Sequence, residues 1–214
     1  MDSQTAIKIV SLLKKRYHVP TPKLDYTNPL ELLVALILAA QCTDKKVNEM
    51  TPFLFSKYKT ASDYAKENPK NIEVHIHPSG FYHVKARHIV EAGMTITNEF
   101  NGKVRGNMDS LLKIPGIGRK SANIILTECF GKVEGIAIDI HAKRIVKRVG
   151  LSDAKSAEKI EKDLCGLLPK KMWGKVNGLL VDHGRLSCKP KKPLCKSCPI
   201  KVFCQYYQHS RFSA

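Results

Sequence analysis

Apolar positions recur at helical spacing along almost the whole chain. Ala6, Ile7, Ile9, Val10, Leu12 and Leu13 fall on one stripe, so the segment up to Tyr17 predicts an amphipathic helix. Asn28-Pro29-Leu30-Glu31 is a helix start, with Asn as cap, Pro in the first turn and Glu three residues after the cap. The run that follows, to about Ala40, is apolar on every side, the pattern of a helix buried in a core. Thr43 or Asp44 can cap a helix reaching about Tyr58. Short helices are predicted over Ala61 to Glu67 and Asn71 to Ile76, a turn at Pro78-Ser79-Gly80, and a long helix from about His83 to Phe100. Beyond a loop at Gly102 to Gly106, helices at Met108 to Ile114 and Arg119 to Phe130 flank a Pro115-Gly116-Ile117-Gly118 break. Ile140 to Val149, Ala154 to Leu168 and Lys171 to Leu186 complete the set. Sustained period-two alternation is absent, so the predicted fold class is all-α.

Charge narrows the function. The 214 residues can form one large domain or two small ones, and they carry a formal net charge of +17. Such an excess attracts polyanions, either nucleic acid or an anionic membrane surface. The most apolar stretch, Leu32 to Ala40, is far short of the ~20 residues a membrane span needs. Met1 to Tyr17 lacks the pattern of a secretory signal, so a soluble cytoplasmic protein is expected. Seven cysteines, an odd number, argue against a disulfide framework. Cys42, Cys129 and Cys165 are scattered and read as small packing residues.

Leu112 to Lys120 reads L-K-I-P-G-I-G-R-K. Two helices meet at a turn with glycines two apart, which lets a partner approach the main chain. The second helix offers N–H groups to an anion, with Lys113 and Arg119 beside it. The spacing of Leu112, Ile114 and Ile117 with Gly116 and Gly118 matches a helix-hairpin-helix, which grips the sugar-phosphate backbone without reading sequence. A plain helix-to-helix turn is the alternative. Lys120 opens the second helix in positive potential; with partial burial, this favours a neutral, nucleophilic amine. Asp139, in Ala137-Ile138-Asp139-Ile140-His141, could stabilise a cationic sugar or move protons. Lys120 could equally bind phosphate, and Asp139 could cap the helix at Ile140.

Cys188, Cys195, Cys198 and Cys204 crowd near the C-terminus in a C-x6-C-x2-C-x5-C spacing that signals a metal site. The spacing alone leaves zinc and a [4Fe–4S] cluster open. Cys195 and Cys198 are the only close pair, which favours iron–sulfur. From Arg185 onward there are seven Lys or Arg and no Asp or Glu. Lys189, Lys191 and Lys192 lie between the first two cysteines, where a pinned loop would present them as a phosphate clamp.

With these motifs, and with A-A-Q-C-T-D at 39–44, the chain resembles the endonuclease III family of helix-hairpin-helix DNA glycosylases from about Tyr26 to Cys204. The resemblance implies two helical domains with a cleft between them. Residues 22–133 would form a six-helix barrel carrying the hairpin; residues 1–21 and 134–214 would form a cluster domain holding [4Fe–4S]. It implies Lys120 as the Schiff-base lysine and Asp139 as its assistant. Gln41 would fill the space left by the flipped nucleotide, and Phe81 would wedge the opposite strand. Pro115, Gly116, Ile117, Gly118, Arg119 and His141 would contact DNA. The adenine-glycosylase relatives carry a catalytic Glu in the first buried helix, and Leu32 to Ala40 has no acid. Lys120 therefore points to the bifunctional branch: base removal from oxidised pyrimidines, then β-elimination at the abasic site. The expected partner is double-stranded DNA with damaged bases or abasic sites. The expected protein is a monomer associated with the nucleoid, its cluster structural or redox-responsive but breaking no bond. Ile140, Phe81 and Cys42 stand where better-known bacterial members tend to have Thr, Leu and Ala.

Overall fold

A computed structural model describes residues 1–17 and 24–211. In chain order its helices are α1 (Ser3–Tyr17), α2 (Pro29–Ala39), α3 (Asp44–Lys57), α4 (Ala61–Ala65), α5 (Pro69–Ile76), α6 (Tyr82–Glu99), α7 (Met108–Leu112), α8 (Arg119–Phe130), α9 (Ile140–Val149), α10 (Ala157–Leu167), α11 (Lys170–Leu186) and α12 (Gln205–Arg211). Single 3₁₀ turns stand at His77–Ser79, Cys195–Ser197 and Lys201–Phe203. Among the described residues there is no strand, as the all-α reading expects.

These residues divide into two compact units: 24–132, holding α2 to α8, and 1–17 with 133–211, holding α1 and α9 to α12. The domain crossing that the sequence places at 21/22 lies outside the described residues. In the first unit α2 is the central element. Leu32, Leu33, Val34, Ala35, Ile37 and Leu38 are all buried, which is why this helix has no polar face. Asn28 caps it by accepting from Glu31 N at 3.0 Å. Glu31 reaches back past the cap to Thr27, accepting from its N at 2.7 Å and its Oγ1 at 2.8 Å. The second unit packs the apolar stripe of α1, Ala6, Ile9, Val10 and Leu13, with Ala142, Ile145, Val146 and Val149 of α9 and Val176, Leu179 and Leu180 of α11.

The starts of α5 and α10 differ from the sequence expectation, and α12 is an addition to it, each through a cap; α4 and α7 end two residues earlier than expected, at Ala65 and Leu112. α5 starts at Pro69 because Asn68 accepts from Lys70 N, the same Asn-Pro signature that opens α2. Ser156, rather than a residue before Ala154, caps α10. α12 was not expected; its Tyr207 and Gln208 amides donate to the Cys204 carbonyl, so the last cysteine launches it.

Close packing of α4 on α6 depends on Gly93. A Cβ there would meet Ala61 O and Ala65 N at 2.7 Å and Tyr64 Cβ at 2.9 Å. Backbone atoms of a packed helix cannot step aside as a flexible side chain can. Gly93→Ala should therefore destabilise the first unit by about 1–3 kcal/mol, measured by urea unfolding, despite the better helix propensity of Ala.

Candidate functional site

The hairpin joins α7 to α8. Leu111, Ile114 and Ile117 are buried at 0%, 2% and 5% exposure and seat it on the core. Leu112, which the motif reading placed on the apolar face, is 43% exposed; the turn from α7 brings Leu111 inward instead. The two glycines have different reasons to be glycine. Gly116 has φ +81°, and a Cβ would crowd His88 and Ile37 at 3.1–3.2 Å, so fold geometry alone requires it. A Cβ at Gly118 would meet nothing within 4 Å, so that position is open toward solvent. Gly118 precedes α8 with no side-chain cap. An uncapped start leaves first-turn N–H groups for an anion. Pro115 is half-buried and Arg119 exposed. Ile117 belongs to the core, so its main chain alone can reach a ligand.

Lys120, the second residue of α8, is exposed. The partial burial anticipated from the sequence is not supplied by the folded chain, because the lysine stands at the helix start on the side facing solvent.

Two turns elsewhere in the same unit carry Gln41 and Phe81. Both residues are exposed, Phe81 to 66%, and both hold left-handed backbone at φ 54° and 52°. Left-handed backbone is strained for residues with side chains, and such strain gathers at functional positions. Phe81 does not pack inward.

Asp139, in the second unit, caps α9: its Oδ1 accepts from Ala142 N at 2.7 Å. It is half-buried, and Ile140 after it is 77% exposed. His141 Nδ1 lies 3.3 Å from Arg144 Nη2. A guanidinium only donates, so Nδ1 accepts and the neutral ring carries its proton on Nε2.

Cys188, Cys195, Cys198 and Cys204 line one partly open cavity, together with His183, Ser187, Val149 and Ile200. Among the described residues no three His, Cys, Asp or Glu side chains are grouped to hold a single metal ion. Burial pushes the Cys198 thiol up to about 11 and also raises Cys195 and Cys204, with neighbouring thiols adding to the shift. Ionised, thiols packed this way would need a cationic centre beside them.

The loop bearing these cysteines is held by two arginines one turn apart on α9, which sequence reading missed. Arg144 donates to Cys188 O from Nε at 3.2 Å and from Nη2 at 3.1 Å, and to Gly184 O at 3.1 Å. Arg148 donates to Cys188 Sγ at 3.3 Å, Lys189 O at 2.8 Å and Pro190 O at 2.9 Å, and lies over the Tyr206 ring at 4.6 Å. The backbone at Lys189 is therefore pinned while the side chains of Lys189, Lys191 and Lys192 stay exposed. His183, 1% exposed, meets Tyr17 Oη at 2.9 Å and Cys198 Sγ at 3.8 Å. Burial and the nearby Arg144 lower its pKa to about 4, so it is neutral at pH 7. The i,i+4 spacing of Arg144 and Arg148 was the available signal, but on a basic helix it reads as a solvated face.

A hairpin with an open glycine and an uncapped helix, in an all-helical chain ending in a four-cysteine cavity, defines a class of DNA-repair proteins. The chain belongs to the HhH-GPD superfamily of base excision DNA repair proteins, whose model matches residues 34–170. Within it the chain is similar to endonuclease III proteins. That of Synechocystis sp. is 42% identical over 207 residues, 97% of this chain and 94% of the relative. That of Thermotoga maritima is 37% identical over 182 residues, 85% of each. Among solved structures, a trapped endonuclease III–DNA covalent intermediate superposes with a TM-score of 0.92 at 35% identity, covering 99% of both chains.

Arg148→Ala should free the Cys188–Pro190 loop while leaving α9 folded. Loss of bonds from a charged donor predicts amide exchange at Cys188, Lys189, Lys191 and Lys192 about tenfold faster or more, with Ile145 and Val146 unchanged.

Proposed function

We infer that the chain is a bifunctional DNA glycosylase and abasic-site lyase that removes oxidised pyrimidines in base excision repair. The observation that carries this is Lys120, an exposed amine two residues after an open glycine at the uncapped start of α8. Supporting it, a protein 35% identical over almost the full chain has been trapped as a covalent DNA intermediate.

In this reading the hairpin main chain from Pro115 to Arg119 takes a phosphate, as does the Nε2–H of His141. Lys189, Lys191 and Lys192 take others. Gln41 and Phe81 enter the duplex as the damaged nucleotide leaves it. Lys120 Nζ bonds to C1′ as the bond from C1′ to the base breaks; the base departs with that electron pair and gains a proton. Opening of the sugar ring gives an imine. A proton then leaves C2′, the C3′–O bond breaks, and the 3′ strand departs with its phosphate. Water hydrolyses the imine and returns the amine. Asp139 is the carboxylate that stabilises the cationic sugar and moves protons, and its cap bond fixes Oδ1 so that Oδ2 serves the substrate. Because Lys120 is exposed, the substrate itself must desolvate the amine, which gives the reaction its dependence on an engaged lesion.

Cys188, Cys195, Cys198 and Cys204 would hold a [4Fe–4S] cluster. A multinuclear centre suits thiols spread around a cavity better than the single point a zinc ion demands. When bound, it supplies a covalent anchor for the lysine-bearing loop and a redox-active centre, and breaks no substrate bond. The protein would act as a monomer on nucleoid DNA in the cytoplasm. Among the described residues no helix is long and apolar enough to cross a membrane.

Borohydride trapping on abasic duplex DNA tests the nucleophile. Wild type should give a covalent adduct, Lys120→Ala none, and Asp139→Asn at least about a hundredfold slower trapping. An adduct from Lys120→Ala as abundant as that from wild type would sink the mechanism. Base release that leaves an intact abasic strand would instead indicate a monofunctional glycosylase, and tight lesion binding without either reaction a DNA-binding module.

A further inference from the structure

Lys85 is the outlier among the lysines and arginines of the described residues. It lies in the first full turn of α6 and is only 3% exposed. A buried ammonium is costly without compensation, and a carboxylate is its usual partner. Here the hydrogen-bond partners are main-chain carbonyls. Nζ donates to Leu38 O at 2.9 Å and to Ser79 O at 2.8 Å. Burial holds the Lys85 ammonium below the usual lysine range, and the other titratable group acting on it is the Cys42 thiol.

Those two carbonyls are placed informatively. Leu38 lies in the last turn of α2, three residues before Gln41. Ser79, itself 3% exposed, ends the 3₁₀ turn two residues before Phe81. Among the described residues four non-glycines adopt positive φ, and Gln41 and Phe81 are two of them. A single buried ammonium thus ties together the bases of both strained turns, and each turn projects its side chain into solvent. An apolar residue of similar length would fill the same volume but leave both carbonyls without a donor; one side chain serving both carbonyls is what couples the two turns.

We propose that Lys85 is a positioning residue that fixes the Gln41 and Phe81 turns relative to each other, so that the two side chains enter the duplex as one rigid pair. This rests on the reading above that both residues invade the helix. The gain is pre-organisation: two loops set independently would each have to be ordered as the nucleotide is extruded, and a displacement of one ångström at such a site is enough to matter. Lys85 contacts neither the sugar nor the base in this assignment. It should affect extrusion and leave the chemistry at Lys120 alone.

The test separates extrusion from chemistry. Wild type, Lys85→Met and Lys85→Gln, with their helical content checked by circular dichroism, are compared on two DNAs. One is a fully paired duplex with one oxidised pyrimidine, scored by single-turnover base release. The other carries an abasic site in an unpaired bulge, already extrahelical, scored by borohydride trapping. Both variants should lose about tenfold or more on the paired duplex while trapping on the bulge stays within about threefold of wild type, with Gln, which keeps a donor, the milder change. Equal losses on both DNAs, or no loss on either, would overturn the proposal. Loss of helical content in both variants would also overturn it, making Lys85 a stabilising residue only. If wild type neither releases the base nor traps on either DNA, the glycosylase reading itself has failed, an outcome distinct from any variant effect.

Discussion

A protein built from short helices has one constraint above all others: each helix end exposes main-chain groups that need partners. This chain meets it at helix starts with side chains, in sequence order Asp2, Asn28, Thr43, Thr60, Asn68, Asn107, Asp139 and Ser156. The starts without a side-chain cap are those of α6, α8 and α11. α11 follows Pro169. α6 follows Phe81 and α8 follows Gly118, the two turns assigned to meet DNA. Eight other described starts are closed by a hydroxyl, amide or carboxylate, whereas these two keep first-turn N–H groups that a ligand would take in the proposed reading. Asp139 is the informative intermediate case. One of its oxygens closes the start of α9 like any other cap, and that bond holds the carboxylate still for the second task proposed for it.

Helix ends and turns on the carbonyl side are met by cations. Lys85 satisfies Leu38 and Ser79 in one unit; Arg144 and Arg148 satisfy Gly184, Cys188, Lys189 and Pro190 in the other. With 36 Lys and Arg against 19 Asp and Glu, the chain has cations to spare for this use as well as for phosphate. The arrangement suits a DNA-binding protein. A carboxylate partner in these places would weaken the positive field that recruits the substrate, whereas a carbonyl orients the cation and leaves its charge uncancelled. The Arg148 contact to Cys188 Sγ extends the same device to a sulfur.

Much of this was visible in the sequence because helices announce themselves by period and cap. Asn28-Pro29 and the apolar run after it located the core helix. P-G-I-G located the hairpin, and four crowded cysteines located the cavity. What escaped did so for physical reasons. Asn68-Pro69 repeats the α2 signature but opens a helix of only eight residues, too short to show a sustained period, so the sequence reading starts it two residues late. Leu111 and Leu112 are indistinguishable by composition, and the path of the turn decides which faces inward. Lys85, Arg144 and Arg148 are hidden by a general ambiguity: a cation on a helix reads as solvated, and only the fold shows that a carbonyl from a distant turn arrives beside it. Gly118 is the converse case. Sequence assigned both glycines of the hairpin one role, while the structure shows that folding needs Gly116 and leaves the space at Gly118 open.

The exposure of Lys120 revises the sequence argument most. A lysine activated by burial in the folded protein would be a nucleophile at all times, in contact with every carbonyl in the cell. An exposed lysine at an uncapped, positively charged helix start is held ready but stays wet until something excludes the water. The bound, extruded nucleotide does that in the proposed reaction, so substrate engagement and nucleophile activation become one event. Selectivity would then not require a pocket that tightly matches one oxidised base. It would follow from how readily a damaged nucleotide leaves the stack, and from how rigidly the Gln41 and Phe81 turns hold the gap it leaves. The exposed Ile140 beside Asp139 is the departure nearest the carboxylate, and it places an apolar group where a hydroxyl would offer a hydrogen bond. Differences in preferred lesion among such enzymes can therefore arise at the rim of the site while the lysine and the aspartate keep their roles.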